Sequence, residues 1–151
     1  MRFFFVCAFA TILLTANACE QKDPQNQLSK ITQNYVDAPS PFFTGEEGGH
    51  FFIGAEIESD LLFEKYNPIF SEHGYAGNGY SWEGHIEQIL EKLDKELLAH
   101  LEFDSEMATF YARADSKETQ QRFVNILSPI FADLSQLEAY LRKADRGRIS
   151  D

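Results

Sequence analysis

The chain has 151 residues, 44% hydrophobic and 14% aromatic, with 24 acidic against 13 basic residues and a formal net charge of −11. That length holds one domain, and its fourteen Phe and six Tyr supply enough apolar area for a core that needs neither metal nor disulfide. The negative field excludes nucleic acid as a partner, because phosphate binding needs the opposite sign; it favours solubility and speeds encounter with a basic protein.

Met1 and Arg2 give a short positive start to the apolar run 3–14, which is too short to span a bilayer as an ordinary helix. Small residues at Ala16 and Ala18 suit signal cleavage after Ala18, and Cys19 directly behind the cut is what lipoprotein processing requires. The segment Leu14-Thr15-Ala16-Asn17-Ala18-Cys19 resembles a lipobox, with Ala16 in the place of the usual leucine. The expected organisation is an export signal over 1–18 with Cys19 lipidated, a polar tether over 19–38, a folded domain over 39–146 and a frayed tail over 147–151. Lipid chains on Cys19 would hold the protein to a membrane, each contributing about 0.8 kcal/mol per buried methylene. The tether is too rich in Gln, Asn, Lys and Asp to offset its ordering entropy by burial. The only other cysteine, Cys7, lies in the removed segment, so no disulfide forms, and the loss of Arg2 leaves the exported part at about −12.

In chain order, Phe42-Phe43-Thr44, a glycine-rich turn over 45–49 and a strand over 50–57 predict a hairpin, with Phe51, Ile53, Ala55 and Ile57 facing the core. Ser59 or Asp60 caps an irregular helix carrying Leu61, Leu62, Phe63, Tyr66, Ile69 and Phe70, weakened by Pro68 and ended by Gly74. A loop over 74–80 leads to a longer helix, opened by Ser81 and striped by Trp82, Ile86, Ile89, Leu90, Leu93 and Leu97. A second hairpin turns at Asp104-Ser105-Glu106, and two helices follow over 116–131 and 135–143. Asn67-Pro68-Ile69-Phe70 is echoed by Ser128-Pro129-Ile130-Phe131, so the chain reads as ββαα twice. The fold class is α+β: a small antiparallel sheet, into which the hairpins of two ββαα halves can merge, with helices packed mainly on one face.

Catalytic chemistry finds little purchase. His50, His73, His85 and His100 have no metal-ligand spacing and read as surface or hairpin residues, so no metal and no cofactor is expected. Ser81 lacks a nucleophile elbow, and no cysteine remains in the domain. Glu56, Glu58, Asp104 and Glu106 could be paired on paper as a glycosidase-like dyad, but carboxylates are so abundant here that such pairs carry no weight. Gly77-Asn78-Gly79 has neither the lysine nor the spacing of a phosphate loop; its glycines supply positive φ, and Tyr75, Tyr80 and Trp82 are core aromatics or partner anchors.

The run Glu72-His73-Gly74-Tyr75-Ala76-Gly77-Asn78-Gly79-Tyr80-Ser81-Trp82, followed by Phe103-Asp104-Ser105-Glu106-Met107-Ala108-Thr109-Phe110, resembles the immunity protein 51 family of bacterial polymorphic toxin systems, over about 49–143. Members typically carry Gly-Tyr-x-Gly-Asn-Gly-Tyr-Asp-Trp and then Phe-Asp-Pro-Glu-Ala-Gly-Met-Phe; here Ser81 stands for the aspartate, able to cap the next helix as Asp would, and Ser105 for the proline. The resemblance implies a non-enzymatic protein that binds a cognate toxin. On it, Tyr75, Asn78, Tyr80, Asp104 and Glu106 are candidate partner-binding residues, and Gly77, Gly79, Trp82, Phe103 and Phe110 candidate structural ones. The leading expectation is an exported immunity protein on the periplasmic side of the envelope whose acidic face meets a basic toxin surface, with membrane contact only through its lipid. The alternative is a scaffold lipoprotein of the envelope using the same aromatics and acids; a toxin gene next door would separate the two.

Overall fold

The computed structural model describes residues 40–151; the expected signal, Cys19 and tether lie outside the described residues. Strands β1 (Phe43–Glu47), β2 (His50–Glu56), β3 (Leu101–Phe103) and β4 (Thr109–Ala114) form one antiparallel sheet in the order β1-β2-β4-β3. Helices α1 (Asp60–Glu72) and α2 (Gly79–Leu93) follow the first hairpin, and α3 (Lys117–Ala132) and α4 (Leu134–Leu141) follow the second. Two 3-10 segments, Lys95–His100 and Arg146–Arg148, complete the order. The α+β class and the ββαα repetition of elements are as the sequence predicts. The strands that correspond in the two halves, β2 and β4, pair antiparallel at the centre, which is how two hairpins merge across a twofold axis.

Period-two alternation sets the faces of the sheet. Ile53, Ala55, Phe110, Ala112 and Ala114 are buried on the inner face, and the opposite residues of the same strands point away from the helices. The first turn is shorter than expected: β1 runs on to Glu47, and the loop is only Gly48-Gly49, with φ of 59° and 82° at the two positions. A two-residue loop with positive φ at both positions matches the twist of the strands it joins, so the three residues before it are free to pair.

The helix layer is held by Trp82, which is 0% exposed. Its ring stacks on Phe70 at 5.9 Å between centroids and meets Tyr66 edge-on at 5.0 Å, Phe131 at 4.7 Å and Phe42 at 6.2 Å. One side chain of α2 thus gathers α1, α3 and the start of β1. Aromatic pairs of this kind add about 0.5–1.5 kcal/mol each beyond area burial. The Tyr66 hydroxyl donates to the Phe131 carbonyl at 2.8 Å, so the one polar group Tyr66 brings inside is paired; its phenol is held well above its ordinary pKa by burial. Phe70 and Phe131, the equivalent residues of the two echoed tetrapeptides, pack against the same indole.

Four expectations are corrected by the packing. In α1 only Tyr66 and Phe70 are fully buried, with Leu62 and Ile69 packed beside them; Leu61 is 77% exposed and Phe63 is exposed too, since a helix places them about 100° to either side of Leu62. Leu93 is exposed because α2 ends there, and the 3-10 segment after Asp94 turns Leu97 back into the core. Ser81 does not cap α2; Asn78 does, its side chain accepting from the Ser81 N–H at 2.9 Å.

The tail expected to fray is docked instead. Gln88, buried on α2, exchanges two hydrogen bonds with the backbone of Asp145, at 3.1 and 2.7 Å. Ile149 lies against Gly84, and Arg148 pairs with both oxygens of Glu91 at 2.7 Å. Gly84, Gln88 and Glu91 follow helical spacing, so one stripe of α2 receives the whole segment. Arg146 lies over the ring of Tyr75 at 4.8 Å and donates to the Gly74 carbonyl and to Asp151. A basic, polar composition suggested fraying; a prepared groove on α2 overrides it.

His85 is likewise no surface residue: it is 1% exposed, edge-on to Tyr75 at 4.3 Å and to Phe70 at 5.4 Å. Burial pushes its pKa from 6.5 down to about 4, with Arg146 and His73 acting in the same direction and Asp151 against them. The unfolded chain therefore takes up a proton that the folded one refuses. Stability from this group is complete above about pH 6.5 and is lost as pH falls toward 4, by on the order of 3 kcal/mol. Urea unfolding of the wild type should show a lower midpoint near pH 4.5 than near pH 7, and His85→Gln should flatten that dependence; equal slopes for the two proteins would overturn it.

Candidate functional site

The two motif blocks meet at one end of the sheet. Gly74 and Gly77, with φ of 77° and 70°, turn the chain sharply after α1, where a side chain would be strained. Tyr75 is thereby driven inward, buried between His85 and Arg146, and Asn78 is occupied as the cap of α2. Of the expected binding residues, these two are therefore engaged within the domain, Tyr75 buried and Asn78 half-buried. The Gly77 N–H donates to Ser81 Oγ, which in turn donates to Asp151. Asp151 also accepts from the Ala76 N–H at 3.0 Å. Where the resembling pattern has an aspartate, this chain sets a serine and brings a carboxylate to it from the tail.

Gly79 is the closest contact between the blocks. Its N–H donates to the Met107 carbonyl at 3.0 Å, and a Cβ placed on it would lie 2.0 Å from the Glu106 oxygen and 2.4 Å from that of Thr109. The loop between β3 and β4 therefore rests directly on the first turn of α2. It is tied down elsewhere as well. The Ser105 hydroxyl accepts from the Tyr111 N–H at 3.2 Å, and the Ser105 N–H donates to Glu83 at 3.3 Å. A proline at 105 could not make that second bond, so serine has a use here that the usual residue lacks. Phe110, fully buried, stacks on Phe123 at 5.9 Å and contacts Phe42, while Phe103 packs beside it at 6.1 Å.

What faces outward at this end is a fixed acidic rim. Tyr80 donates to Glu106 at 3.3 Å, and that carboxylate, by its charge first, holds the Tyr80 phenol above its ordinary pKa. Asp104 accepts from Arg113 at 2.8 Å, and Glu102 stands 4.0 Å from the same guanidinium. The structure thus brings Tyr80, Asp104 and Glu106 together out of the expected binding set. It adds Met107, 64% exposed at the loop tip, which a turn confined to Asp104-Ser105-Glu106 would put in the following strand. The Ile57 and Glu58 N–H groups both bond the Ala108 carbonyl, which ties the same loop to the chain just before α1 begins. The signal that could have found Met107 is its place beside Ser105 and Glu106, in a turn too long for a two-residue loop.

Among the described residues no group of three His, Cys, Asp or Glu could hold a metal ion, and no helix is long and apolar enough to cross a membrane. The arrangement offers hydrogen-bond acceptors held in place beside apolar groups, a combination suited to receiving cationic side chains from a partner. Because Gly79 has no room for a side chain and faces backbone, Gly79→Ala should destabilise the domain by about 3 kcal/mol or more in denaturant titration. Gly84→Ala, whose Cβ would meet Ile149 Cγ1 at 3.0 Å and the backbone of the docked tail at 3.2 and 3.3 Å, should cost less. Equal effects would mean that the loop is free to lift off α2.

No curated protein and no solved structure matches this chain. A family model described as Immunity protein 51 matches residues 57–146, which run from the end of β2 through α4 to Arg146 and include both motif blocks and the rim they build. With more than half of the sequence matched, and with the matched segments converging on one surface, the chain belongs to the immunity protein 51 family.

Proposed function

We propose that this protein neutralises a cognate toxin by direct binding at the cell envelope, without catalysis. Membership in an immunity family implies the toxin partner; the binding mode and the location are inferences from the chain's own residues. The observation that carries the reading is the Tyr80–Glu106 rim with Asp104 and Met107, whose backbone is pinned to α2 before any partner arrives. A pre-ordered loop has already met its ordering cost, so more of the contact energy appears as affinity. Its carboxylates, on a chain of net charge −11, would steer toward a basic toxin surface and raise the association rate. Neutralisation then follows from covering the toxin's active or docking surface.

Location follows from the N-terminal sequence: an apolar run, Ala16 and Ala18 at the cleavage point, and Cys19 behind it. Lipid on Cys19 would keep the domain on the periplasmic side of a membrane, in the path of a toxin that acts in or crosses that compartment. Metabolic labelling with a fatty acid should mark the wild-type chain and not Cys19→Ser, and the variant should leave the membrane fraction. A labelled, membrane-bound variant would overturn the anchor.

Where a toxin-like gene lies beside this one, calorimetry of the chain from Glu20 onward with its product should give sub-micromolar binding at about 50 mM salt and binding at least about tenfold weaker at about 300 mM. Asp104→Asn with Glu106→Gln should reduce the salt dependence and the protection of cells. No binding to the folded toxin would reject the pairing, and binding indifferent to salt would reject the electrostatic part.

A further inference from the structure

The face of the sheet that carries no helix among the described residues departs from what a solvent-facing sheet needs. Such faces ordinarily present polar residues in alternation with a buried apolar set. Here the outward positions of β1, β2 and β4 include Phe43, Phe52 and Tyr111. Register explains how they lie. Phe43 is paired with Gly54 and Phe52 with Gly45, and a Cβ on either glycine would fall within the neighbouring ring, 2.3 Å from Phe43 Cζ and 2.0 Å from Phe52 Cζ. Each ring therefore reaches across its cross-strand glycine and fills the space a Cβ would occupy, which covers the backbone there, and the two rings meet edge to face. Phe52 then stacks on Tyr111 at 6.2 Å with 19° between planes, and meets Phe43 at 6.5 Å. Arg113 extends the row, its guanidinium 5.8 Å from the Tyr111 ring. A continuous aromatic strip crosses the sheet, and Phe43 at its edge is 42% exposed.

The charges around the strip favour one kind of occupant. Glu47 and Glu56 share the outward face of β1 and β2, and Glu102 that of β3. Arg113 is already held by Asp104 and Glu102, so the surround stays acidic in a protein that is acidic overall. Aromatic faces bordered by carboxylates attract guanidinium and ammonium groups through the ring quadrupole and through charge, and exclude acidic surfaces. Asp104, which fixes Arg113 against Tyr111, also belongs to the rim described above, so strip and rim are continuous.

Resting on the toxin-binding reading, we propose that the helix-free face of the sheet, centred on Phe52 and Tyr111, is the main docking surface for the toxin, and that it takes a basic patch whose Arg or Lys side chains lie over the aromatic strip between Glu56 and Glu102. The Tyr80–Glu106 rim then borders the interface, and Phe52 and Tyr111 form its desolvated centre.

The test uses the chain from Glu20 onward and the toxin with which it forms the complex proposed above, with binding followed by surface plasmon resonance and mass by light scattering. Phe52→Thr with Tyr111→Thr keeps strand-forming residues while removing the strip, and should weaken binding at least about thirtyfold, mainly through faster dissociation. Glu56→Lys with Glu102→Lys reverses two exposed charges, leaves Arg113 its closer partner Asp104, and should slow association about tenfold or more; it decides the matter if the aromatic variant loses its cooperative thermal transition. Wild-type binding that both variants preserve within about twofold would overturn the docking face and leave toxin neutralisation standing. Failure of the wild type itself to bind would remove both. A dimeric wild type that the aromatic variant converts to monomer, with toxin affinity unchanged, would assign the face to a second copy and overturn the proposal.

Discussion

Backbone meets backbone at Gly79, and much of the molecule is arranged around that contact. The Glu106 and Thr109 carbonyls approach the helix start at distances no side chain would allow, while the Gly79 N–H bonds the carbonyl of Met107. This joins the second hairpin to the first turn of α2 and fixes the orientation of the helix on the sheet. Trp82, three residues on, is aimed into the core by that orientation, where it collects Tyr66, Phe70, Phe131 and Phe42. A single missing side chain thus couples the outward loop to the aromatic nucleus. The indole N–H finds no hydrogen-bond partner among the described residues, a penalty that aromatic burial on every side must offset.

The same contact explains how a small domain can hold a binding surface still. Ser105 and Glu83 pin the loop a second time, and Asp151, Ser81 and Gly77 brace the turn beneath it. The docked tail reaches this turn through Arg146 and Asp151, so residues distant in sequence stiffen the place where Tyr80 and Glu106 face outward. Stiffness matters for a protein whose action is to bind: each side chain already held in place is one fewer to order on association. The acidic charge that borders the rim and the aromatic strip serves approach, while the apolar groups serve retention.

Much of the fold was legible because the relevant signals are local. Alternation in β2 marked Ile53, Ala55 and Ile57 as inward, and helical spacing marked Trp82, Ile86, Ile89 and Leu90. Ser116 marked the start of α3, which it caps, while the last helix starts one residue earlier than expected because Asp133 caps it. The echo of Asn67-Pro68-Ile69-Phe70 in Ser128-Pro129-Ile130-Phe131 is matched by a sheet whose central strands correspond. The helix layer departs from that symmetry: α3 lies on both central strands, whereas α1 joins the fold through Tyr66, Phe70 and its contact with α4.

The sequence by itself determined the main helices and hairpins, the inward face of β2, and the family, whose two motif blocks stand at Gly74–Trp82 and Phe103–Phe110; these rest on neighbours a few residues apart. Only the tertiary structure decided which motif residues are spent inside. Tyr75 went to the core because the tail brings Arg146 over it, and His85 because Tyr75 and Phe70 enclose it. It also decided that Phe43, Phe52 and Tyr111 make one strip, since strand register sets Gly45 beneath Phe52 and Gly54 beneath Phe43, and register is a property of paired strands. The tail shows the same division: its composition is that of a solvated end, and its place on α2 depends on Gly84, Gln88 and Glu91 lining up more than fifty residues earlier in the chain.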